Sequence, residues 1–542
     1  MKKEKNILYG PEPLYPIEES TAGKQLYDAL LKHSHLPEAM IDAQTKKPFS
    51  YRTLFETTCR LAQSLQKCGY KQNDVMSVCS ENNLKFFFPV IAALYLGMVT
   101  APLNQNYTPG ELHNVLNISK PQLIFCSKTV LPKILELKKK YTFVKRIIIL
   151  DVDEDMFGCE SLSNFILHNA DKDPKKFEPV NFNLDEQVAA ILCSSGTTGL
   201  PKGVMLTHKN FSVRFAHVKD PNPGTETIPG VTVLSFMPFF HGFGFLSNLG
   251  YLLMGLRIII LKRFEPELFL KSIQDYEVRN IISVPPIVLF LSKSPLVDKY
   301  DLSSLKELGC GAAPLAKEVA EAAAKRLNLK GIRTGYGLTE ATLVITHTLP
   351  NKFKSGSSGK LVSFMSAKVV DVNTGKSVGP NVVGELCLKG DMLMKGYAGN
   401  IKATKEAIDE NGWLHTGDLG YYTEEEYFYI VDRLKELIKY KGFQVAPAEL
   451  EEVLLRHPCI RDAAVVGVSD ETVGELPAAF VVKQSGTQIT ENEVIDYIAG
   501  QVSYTKYLRG GVRFIEEIPR SATGKIQRKE LQKLILPKQS KL

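Results

Sequence analysis

The sequence lacks several features that would define a special class of protein. One Trp and nine Cys occur among its 542 residues, and the cysteines form no CxxC pair and no spacing typical of metal ligands. An odd number of scattered cysteines predicts reduced thiols in an intracellular protein. There is no internal repeat, and 44% hydrophobic with 23% charged residues is an ordinary globular composition. Disordered, collagen-like and coiled-coil chains are therefore excluded.

Long apolar runs are also missing. The most apolar stretch, residues 86–103, contains Pro89, Gly97 and Pro102. It therefore predicts a buried helix, a turn and a strand, and not a membrane span. Residues 1–5 are mostly charged and lead into Tyr and Pro without an apolar segment, so we expect no secretory signal.

An excess of one charge is confined to one end of the chain. The formal net charge is +7, but residues 501–542 contain ten Lys and Arg against three Asp and Glu, which leaves 56 of each sign elsewhere. Because no large positive field remains, we expect no nucleic-acid partner. A basic C-terminal segment is instead suited to an anionic small ligand.

Alternating strand and helix patterns indicate the fold class from about residue 51 onward. Short apolar runs at 74–79, 122–126 and 146–151 are typical of buried strands, and residues 131–140 have the pattern of a helix. This alternation predicts an α/β fold with parallel sheets covered by helices. Because the units are too numerous for one small sheet, we expect two.

The pattern changes beyond about residue 432. Residues 447–456 read as a helix that ends before His457 and Pro458, and residues 463–468 and 478–482 read as strands. These features predict a separate α+β domain of roughly a hundred residues, a common domain size.

A glycine-rich segment after the apolar strand at 188–192 predicts a phosphate-binding loop. Its glycines allow close backbone approach, its hydroxyls add donors and its lysine adds positive charge. The residues concerned are Ser194, Ser195, Gly196, Thr197, Thr198, Gly199 and Lys202. It is not a Walker loop, because Gly203 follows the lysine where Ser or Thr is required. A surface turn is the alternative, but it does not explain this concentration of hydroxyls.

A second cluster, at residues 334–340, places Tyr336 between two glycines, where its ring can lie against a base. Thr339 and Glu340 offer a hydroxyl and a carboxylate suited to Mg²⁺ beside phosphate. Taken alone, the pattern is equally typical of an ordinary turn.

The third and fourth clusters are residues 412–418 and 523–525. Asp418 stands in a glycine turn, where it can accept hydrogen bonds from ribose hydroxyls or simply cap the turn. Lys525 lies on a glycine-containing loop of the basic C-terminal segment. Between them, the charged run at 432–442 is either a solvated face or a hinge.

These four motifs, in this order and spacing, resemble those of the adenylate-forming superfamily, which includes acyl-CoA synthetases, synthetase adenylation domains and beetle luciferases. Residues 214–217, 238–244 and 445–449 are similar to segments of beetle luciferases, especially those of click beetles, and of luciferase-like fatty acyl-CoA synthetases. The resemblance covers essentially the whole chain.

The resemblance implies a fold as well as an activity. A large N-terminal domain of two helix-covered sheets plus a distorted β-barrel would occupy residues 1–432. Residues 433–436 would form a hinge, and residues 437–542 a small, mobile α+β lid.

The resemblance also implies that ATP binds between the four motifs. The glycine-rich loop would hold the β- and γ-phosphates, Tyr336 would stack on adenine, and Asp418 would take the ribose with support from Arg433. Thr339 and Glu340 would serve the α-phosphate and Mg²⁺, with Glu340 as the metal ligand. The implied nucleotide-binding residues are Ser194, Ser195, Gly196, Thr197, Thr198, Gly199, Lys202, Gly311, Ala312, Ala313, Tyr336, Gly337, Asp418, Arg433 and Gly442.

Lys525, Lys439, His241 and Thr339 are implied in catalysis. Lys525 would contact both the substrate carboxylate and the α-phosphate during adenylation. After the lid has swung about the hinge, Lys439 and Gly442 would face the site where coenzyme A accepts the acyl group.

The implied acyl pocket contains Arg214, His241, Phe243 and Leu343. Leu343 departs from the luciferases, which typically have Ser at this position. A leucine offers an apolar wall to an alkyl chain and leaves a polar edge of luciferin without a partner, which costs about 1–3 kcal/mol if that edge is buried. We therefore expect a medium- or long-chain fatty acyl-CoA synthetase, with a beetle luciferase as the alternative.

Location and partners follow from the remaining features. The C-terminal Ser540, Lys541 and Leu542 form a tripeptide that a peroxisomal import receptor reads, so we expect a peroxisomal enzyme. We also expect a monomer that takes a small carboxylic acid. A catalytically silent, luciferase-like binding protein is the remaining alternative, but it would require a broken motif, and none of the four is broken.

Overall fold

The computed structural model describes residues 6–171, 173–194, 201–220, 228–349, 352–441, 443–470 and 472–535. Several predicted site residues lie outside these ranges. They are Ser195, Gly196, Thr197, Thr198 and Gly199 of the glycine-rich loop, Gly442, and Ser540, Lys541 and Leu542 of the tail.

The described residues form helices and strands in the alternation that the sequence predicts. The α-helices are Ala22–Lys32, Tyr51–Lys67, Phe87–Leu96, Pro109–Ser119, Leu131–Lys140, Leu162–Asn169, His208–Lys219, Gly242–Leu253, Pro266–Asp275, Pro285–Lys293, Lys317–Arg326, Ile401–Ala407, Pro447–Leu455, Glu491–Ala499 and Arg528–Ile535. Within the described ranges, none of these helices has both the length and the apolar character needed to cross a bilayer.

The first sheet is parallel through its centre and antiparallel where the glycine-rich segment joins it. Its strands, in spatial order, are Gly396–Tyr397, Lys202–Thr207, Val188–Ser194, Val99–Thr100, Val75–Cys79, Leu123–Cys126, Arg146–Ile149 and Glu160–Ser161. Buried helix Phe87–Leu96 ends at Gly97, whose φ of +68° favours glycine, and the chain then enters strand Val99–Thr100. Residues 86–103 are thus a buried helix, turn and strand, as predicted.

The second sheet is also parallel in its centre, with antiparallel strands at its edges. Its strands, in spatial order, are Lys360–Leu361, Thr346–His347, Arg333–Tyr336, Glu307–Cys310, Asn280–Ser283, Thr232–Ser235, Arg257–Ile260, Met40–Asp42 and Pro48–Phe49. Because Glu307–Cys310 and Arg333–Tyr336 run in parallel, the residues that follow them reach the same edge of the sheet. Ligands of α/β proteins bind at such carboxyl ends.

The third sheet is antiparallel. It is the part of the large domain that corresponds to the predicted distorted barrel. Its strands, in spatial order, are Leu8–Tyr9, Met365–Val370, Gly384–Gly390, Leu414–Tyr422 and Phe428–Arg433, with Ser377–Val378 added beside Met365–Val370. In this sheet Asp418 is the direct partner of Arg433. The register therefore sets these two predicted ATP-binding residues side by side.

The small C-terminal domain has its own mixed sheet. Its strands are Phe443–Val445, Ile438–Tyr440, Gly474–Lys483 and Ile460–Asp470 in spatial order, with Val512–Phe514 parallel to Gly474–Lys483. A large domain followed by a small one confirms the predicted fold class. Arg433 still belongs to the third sheet and Ile438 begins the fourth, so residues 434–437 connect the two sheets. The function of residues 433–436 as a hinge stays a prediction.

The small domain contacts the large one at several points. Arg456 Nε lies 2.9 Å from Glu318 Oε1, and Lys293 Nζ donates to the backbone oxygen of Ile460 at 3.3 Å. Gly524, with φ +80°, packs so closely that a Cβ atom there would lie 3.2 Å from Val284. Lys525 follows this contact and is thereby carried to the edge of the second sheet.

Candidate active site

One cavity, of about 330 Å³, collects most of the predicted site residues. The predicted residues that line it are Ser194, Lys202, Arg214, His241, Phe243, Gly311, Ala312, Tyr336, Gly337, Thr339, Glu340, Leu343, Asp418, Arg433 and Lys525. Ala313 does not line it. Lys439 also lies outside it and is exposed, with its backbone N–H donating to Glu475 Oε2 at 2.8 Å. The cavity therefore contains one of the two predicted catalytic lysines.

Asp418 is held from both sides at one end of the cavity. The Tyr336 hydroxyl donates to its Oδ2 at 2.6 Å, and Arg433 Nε donates to its Oδ1 at 3.2 Å. Burial raises the pKa of Asp418, and the neighbouring Arg433 opposes that rise. The result is an oriented acceptor suited to ribose hydroxyls, and the ribose contact itself stays a prediction.

Lys525 approaches this end from the small domain. Its loop is closed by Ser521, which donates its N–H to the Lys525 oxygen at 2.8 Å and accepts from the Lys525 N–H through Oγ at 3.2 Å. Burial, together with the charge of Arg433, lowers the pKa of Lys525, while Asp418 and Glu340 oppose that shift. Lys525 thus stands among charged groups and can meet a phosphate.

Glu340 fits the predicted role of a Mg²⁺ ligand. One carboxylate oxygen, Oε1, accepts from the Tyr397 hydroxyl at 3.0 Å, and the residue lines the cavity. Lys202 Nζ lies 4.7 Å from the centre of the Tyr397 ring, so the lysine of the glycine-rich segment reaches the same place. Mg²⁺ commonly uses one or two carboxylates together with substrate phosphates.

Thr339 lies against the start of a helix. A Cβ atom at Gly242 would lie 3.5 Å from Thr339 Oγ1, so the hydroxyl is next to the N-terminus of helix Gly242–Leu253. Exposed backbone N–H groups at such a terminus favour anions. Thr339 is therefore placed to meet a phosphate or a carboxylate.

His241 precedes this helix and is neutral. Its Nδ1 accepts from the Phe243 N–H at 3.2 Å, which caps the helix. Burial, with a smaller contribution from Lys525, lowers the pKa of His241 to about 3. A neutral imidazole can exchange hydrogen bonds with a substrate without adding charge.

The other end of the cavity is lined by buried polar groups. Burial lowers the pKa of Arg214 to about 10, and among the described residues its Nε has no hydrogen-bond partner. His217 and His347 lie near it with ring centres 5.5 Å apart, and burial is the main cause that lowers the pKa of both. A buried unpaired donor of this kind favours an acid that brings its own polar atoms.

Leu343 forms part of the wall between the two ends. It has a φ of +90°, and its N–H donates to the Leu338 oxygen at 3.1 Å. The preceding Thr342 donates from Oγ1 to the Met392 oxygen at 2.6 Å. These bonds hold a backbone conformation that a leucine rarely adopts.

The sequence reasoning missed several residues of the cavity. His217 stands three residues after Arg214, and Ser247 and Tyr251 stand four residues apart on helix Gly242–Leu253, so helical spacing from a known site residue could have found them. Among the described residues, Ser247 Oγ has no hydrogen-bond partner. No sequence motif marks His347 or Tyr397, because pairing between strands places them at the cavity.

Comparison with known proteins identifies the family of this chain. The family model for the AMP-binding enzyme matches residues 32–398, and the model for the AMP-binding enzyme C-terminal domain matches residues 449–525. A chain with this fold and this site belongs to the AMP-binding enzymes, the adenylate-forming superfamily.

Individual relatives and solved structures are also similar to this chain. The chain is 51% identical over 544 residues to luciferin 4-monooxygenase of Photuris pensylvanica, with 100% of both chains covered. It is 40% identical over 503 residues to 4-coumarate–CoA ligase 2 of Nicotiana tabacum, with 91% of this chain and 90% of the relative covered. Among solved structures, ATP-bound MatB from Rhodopseudomonas palustris matches with a TM-score of 0.84 at 26% identity, covering 95% and 99% of the two chains.

Proposed function

We propose that this protein converts an aromatic carboxylic acid to its adenylate and then oxygenates that adenylate, as a luciferin 4-monooxygenase. The observation that carries the proposal is full-length identity of 51% to an enzyme of that name, against 40% to a CoA ligase. Leu343 predicts a fatty acyl-CoA synthetase, with luciferase as the alternative. The fatty acyl-CoA synthetase is not confirmed, and the relatives favour the alternative.

The first step activates the acid. A carboxylate is a poor acyl donor because oxide would have to leave. Attack of its oxygen on the α-phosphorus of ATP forms an oxygen–phosphorus bond and breaks the bond from that phosphorus to the bridging oxygen, so that pyrophosphate leaves. Membership of the AMP-binding enzymes supports ATP as the co-substrate.

The residues of the cavity can perform this step. Asp418 would orient the ribose, and Lys525 would stabilise the negative charge that develops on the phosphate. Mg²⁺ held by Glu340 would supply further positive charge there. Lys525 brings the small domain against the cavity, where that domain would shield the adenylate from water until the second step.

The polar end of the cavity supports an acid with its own polar atoms. Arg214 has a donor without a partner among the described residues, and His241 is a neutral hydrogen-bonding group. A saturated alkyl chain would leave the Arg214 donor unpaired in a buried place, whereas a hydroxylated ring system can pair with it and with His241.

One specific observation favours a second candidate, the fatty acyl-CoA synthetase. Leu343 lines the cavity with a side chain that neither donates nor accepts a hydrogen bond. It suits methylene groups, and Lys439 would then serve transfer to coenzyme A after the lid has rotated. Both candidates share the adenylation step and differ in what attacks the adenylate.

The test measures both half-reactions on the same protein. ATP–pyrophosphate exchange with luciferin, 4-coumarate and a series of fatty acids identifies the acid. Light emission in air and thioester formation with coenzyme A identify the fate of the adenylate. Strong exchange and light with luciferin support the proposal, whereas exchange and thioester with fatty acids alone replace it by the second candidate. No exchange with any acid indicates the silent binding protein.

A further inference from the structure

Three side chains of types that commonly bind metals come together beside Asp418, at the end of the cavity proposed to bind ribose. Glu385 and Cys387 lie two residues apart on strand Gly384–Gly390 and therefore on the same face. On the neighbouring strand, His415 is the direct partner of Cys387. Within the part of the chain that the structure describes, this is the one group of three such residues whose ligand atoms all lie within 4.8 Å of one another.

The ligand atoms converge on one ring nitrogen. His415 Nδ1 lies 2.8 Å from Glu385 Oε2 and 3.5 Å from Cys387 Sγ. In a tetrahedral zinc site with bonds of about 2.0–2.3 Å, neighbouring ligand atoms are about 3.3–3.8 Å apart. The distance from His415 to Cys387 fits that spacing, and the distance from His415 to Glu385 would have to lengthen by roughly half an ångström.

A longer contact and one hydrogen bond surround these side chains. Asp409 Oδ2 lies 3.8 Å from His415 Nε2, the ring nitrogen that faces away from the other two ligands. The second oxygen of Glu385, Oε1, accepts from the Gly417 N–H at 3.0 Å. Metal-binding histidines and carboxylates are commonly oriented by such outer contacts.

We propose that Glu385, Cys387 and His415 form a binding site for a divalent cation of the Zn²⁺ or Co²⁺ type, with water as the fourth ligand. A thiolate, an imidazole and a carboxylate favour such an ion over Mg²⁺, which takes oxygen ligands. On binding, the metal–sulfur bond forms and the thiol proton passes to solvent.

His415 connects the site to the cavity. Cys387 is completely buried, whereas the His415 side chain is 36% exposed and lines the cavity. Glu385 also holds Gly417, the residue before Asp418, so the metal and ATP would influence each other's affinity. The site itself does not depend on which acid the enzyme activates.

Trp413 provides a direct measurement, because it is the single Trp of the chain and packs in the same apolar cluster as Cys387. Full-length reduced protein is titrated with Co²⁺ in excess Mg²⁺ and without ATP, while Trp fluorescence and the absorption of a cobalt–thiolate bond are recorded. We expect saturable quenching at one Co²⁺ per chain, a thiolate band, and recovery of fluorescence when Zn²⁺ displaces Co²⁺.

Variants separate this site from other thiols. Cys387→Ser should remove the thiolate band and weaken Co²⁺ binding at least about tenfold, and His415→Asn should weaken it by a similar factor. Cys459→Ser, at a half-buried cysteine of the small domain, is the matched control and should leave the titration unchanged. If Cys387→Ser does not fold, His415→Asn still decides.

The proposal is overturned if quenching rises without saturation, or if the thiolate band persists in Cys387→Ser. Equal Co²⁺ affinity in the wild type and His415→Asn would overturn it as well. None of these outcomes depends on activity, so they are distinct from a failure of the proposed function.

Discussion

At the residue scale, Gly337 leaves no room for a side chain, because a Cβ atom there would lie 1.4 Å from the Leu343 oxygen. This contact fixes the Leu343 backbone. Its φ of +90° is strained for leucine and for the other L residues alike. A substitution at Leu343 therefore changes the cavity wall and leaves the path of the chain as it is. This makes Leu343 a suitable position at which to test the choice of acid.

Leu343→Ser should raise light output with luciferin and lower thioester formation from fatty acids. The added hydroxyl can pair with a polar edge of the ligand, and the lost apolar contact weakens alkyl binding, each by about 1–3 kcal/mol. Luminescence and acyl-CoA formation are measured side by side. Leu343→Ala is the control, since it removes the same bulk without adding a hydroxyl. Equal light from the Ser and Ala variants would show that the hydroxyl has no role.

Tyr336→Phe should raise the KM for ATP, because Asp418 loses the hydrogen bond that holds its Oδ2. A hydrogen bond to a charged group contributes about 1.5–3 kcal/mol, so we expect a change of about tenfold or more. Tyr422→Phe is the matched control. Tyr422 lies on the same strand as Asp418, and its hydroxyl donates to the Val378 oxygen and not to Asp418. An unchanged KM for ATP in Tyr336→Phe would mean that Asp418 is positioned without this bond.

Single residues could be predicted where a motif carries them. Asp418, Glu340 and Lys525 stand in glycine-containing segments whose chemistry is visible in the sequence, and all three line the cavity. His347 and Tyr397 could not be predicted in the same way. They reach the cavity through strand pairing with distant segments, and no local pattern encodes that pairing.

At the scale of elements, sequence periodicity predicts position well and neighbours poorly. The strand expected at 122–126 is Leu123–Cys126, and the helix expected at 447–456 is Pro447–Leu455. The strands expected at 463–468 and 478–482 are longer, because a continuous antiparallel hairpin extends both beyond their apolar centres. Strand order could not be predicted, since it depends on long-range contacts.

Two lysines of the small domain test whether that domain works in two positions. Lys525→Ala should lower ATP–pyrophosphate exchange by about 10²–10³-fold, since it removes a positive charge aimed at the transition state. Conversion of a synthetic adenylate should remain. Lys439→Ala should leave exchange intact and slow only thioester formation, if the enzyme makes thioesters. Loss of the same half-reaction in both variants would contradict the two-position arrangement.

At the scale of the whole molecule, buried histidines contribute to the response of the folded state to acid. Burial lowers the pKa of His208 to about 3, and among the described residues neither of its ring nitrogens has a hydrogen-bond partner. The unfolded chain takes up a proton near pH 6.5 and the folded chain does not. The contribution of His208 is therefore fully present above pH 6.5 and is lost as the pH falls from there towards 3.

His208→Phe should flatten this acid limb. Each such histidine costs about 1.4 kcal/mol of the free energy of unfolding per pH unit below 6.5. Thermal unfolding of wild type and variant is compared between pH 5 and 8, where the difference should grow towards low pH. His168→Phe, at an exposed position, is the control. A constant difference across that range would show that His208 does not titrate in this way.

The predicted peroxisomal location is a property of the molecule as a whole and stays a prediction. Removal of Ser540, Lys541 and Leu542 should leave the enzyme in the cytosol with unchanged activity, because a receptor reads this tripeptide only at a free end. Localisation of tagged full-length and truncated protein in cells, with activity in the lysate, tests this. Continued import of the truncated form would show that another segment carries the signal.

Gly524 packs against Val284, and this contact places the next residue, Lys525, at the cavity. Lys525 is the one residue of the small domain, within the described ranges, that lines the cavity. Besides the contacts between the two domains, a short covalent connection around residues 434–437 joins them. A short flexible connection keeps a linked domain at an effective concentration of about a millimolar near its partner. If the chain were cut at this connection, the separated small domain would have to be added at roughly that concentration to restore adenylation.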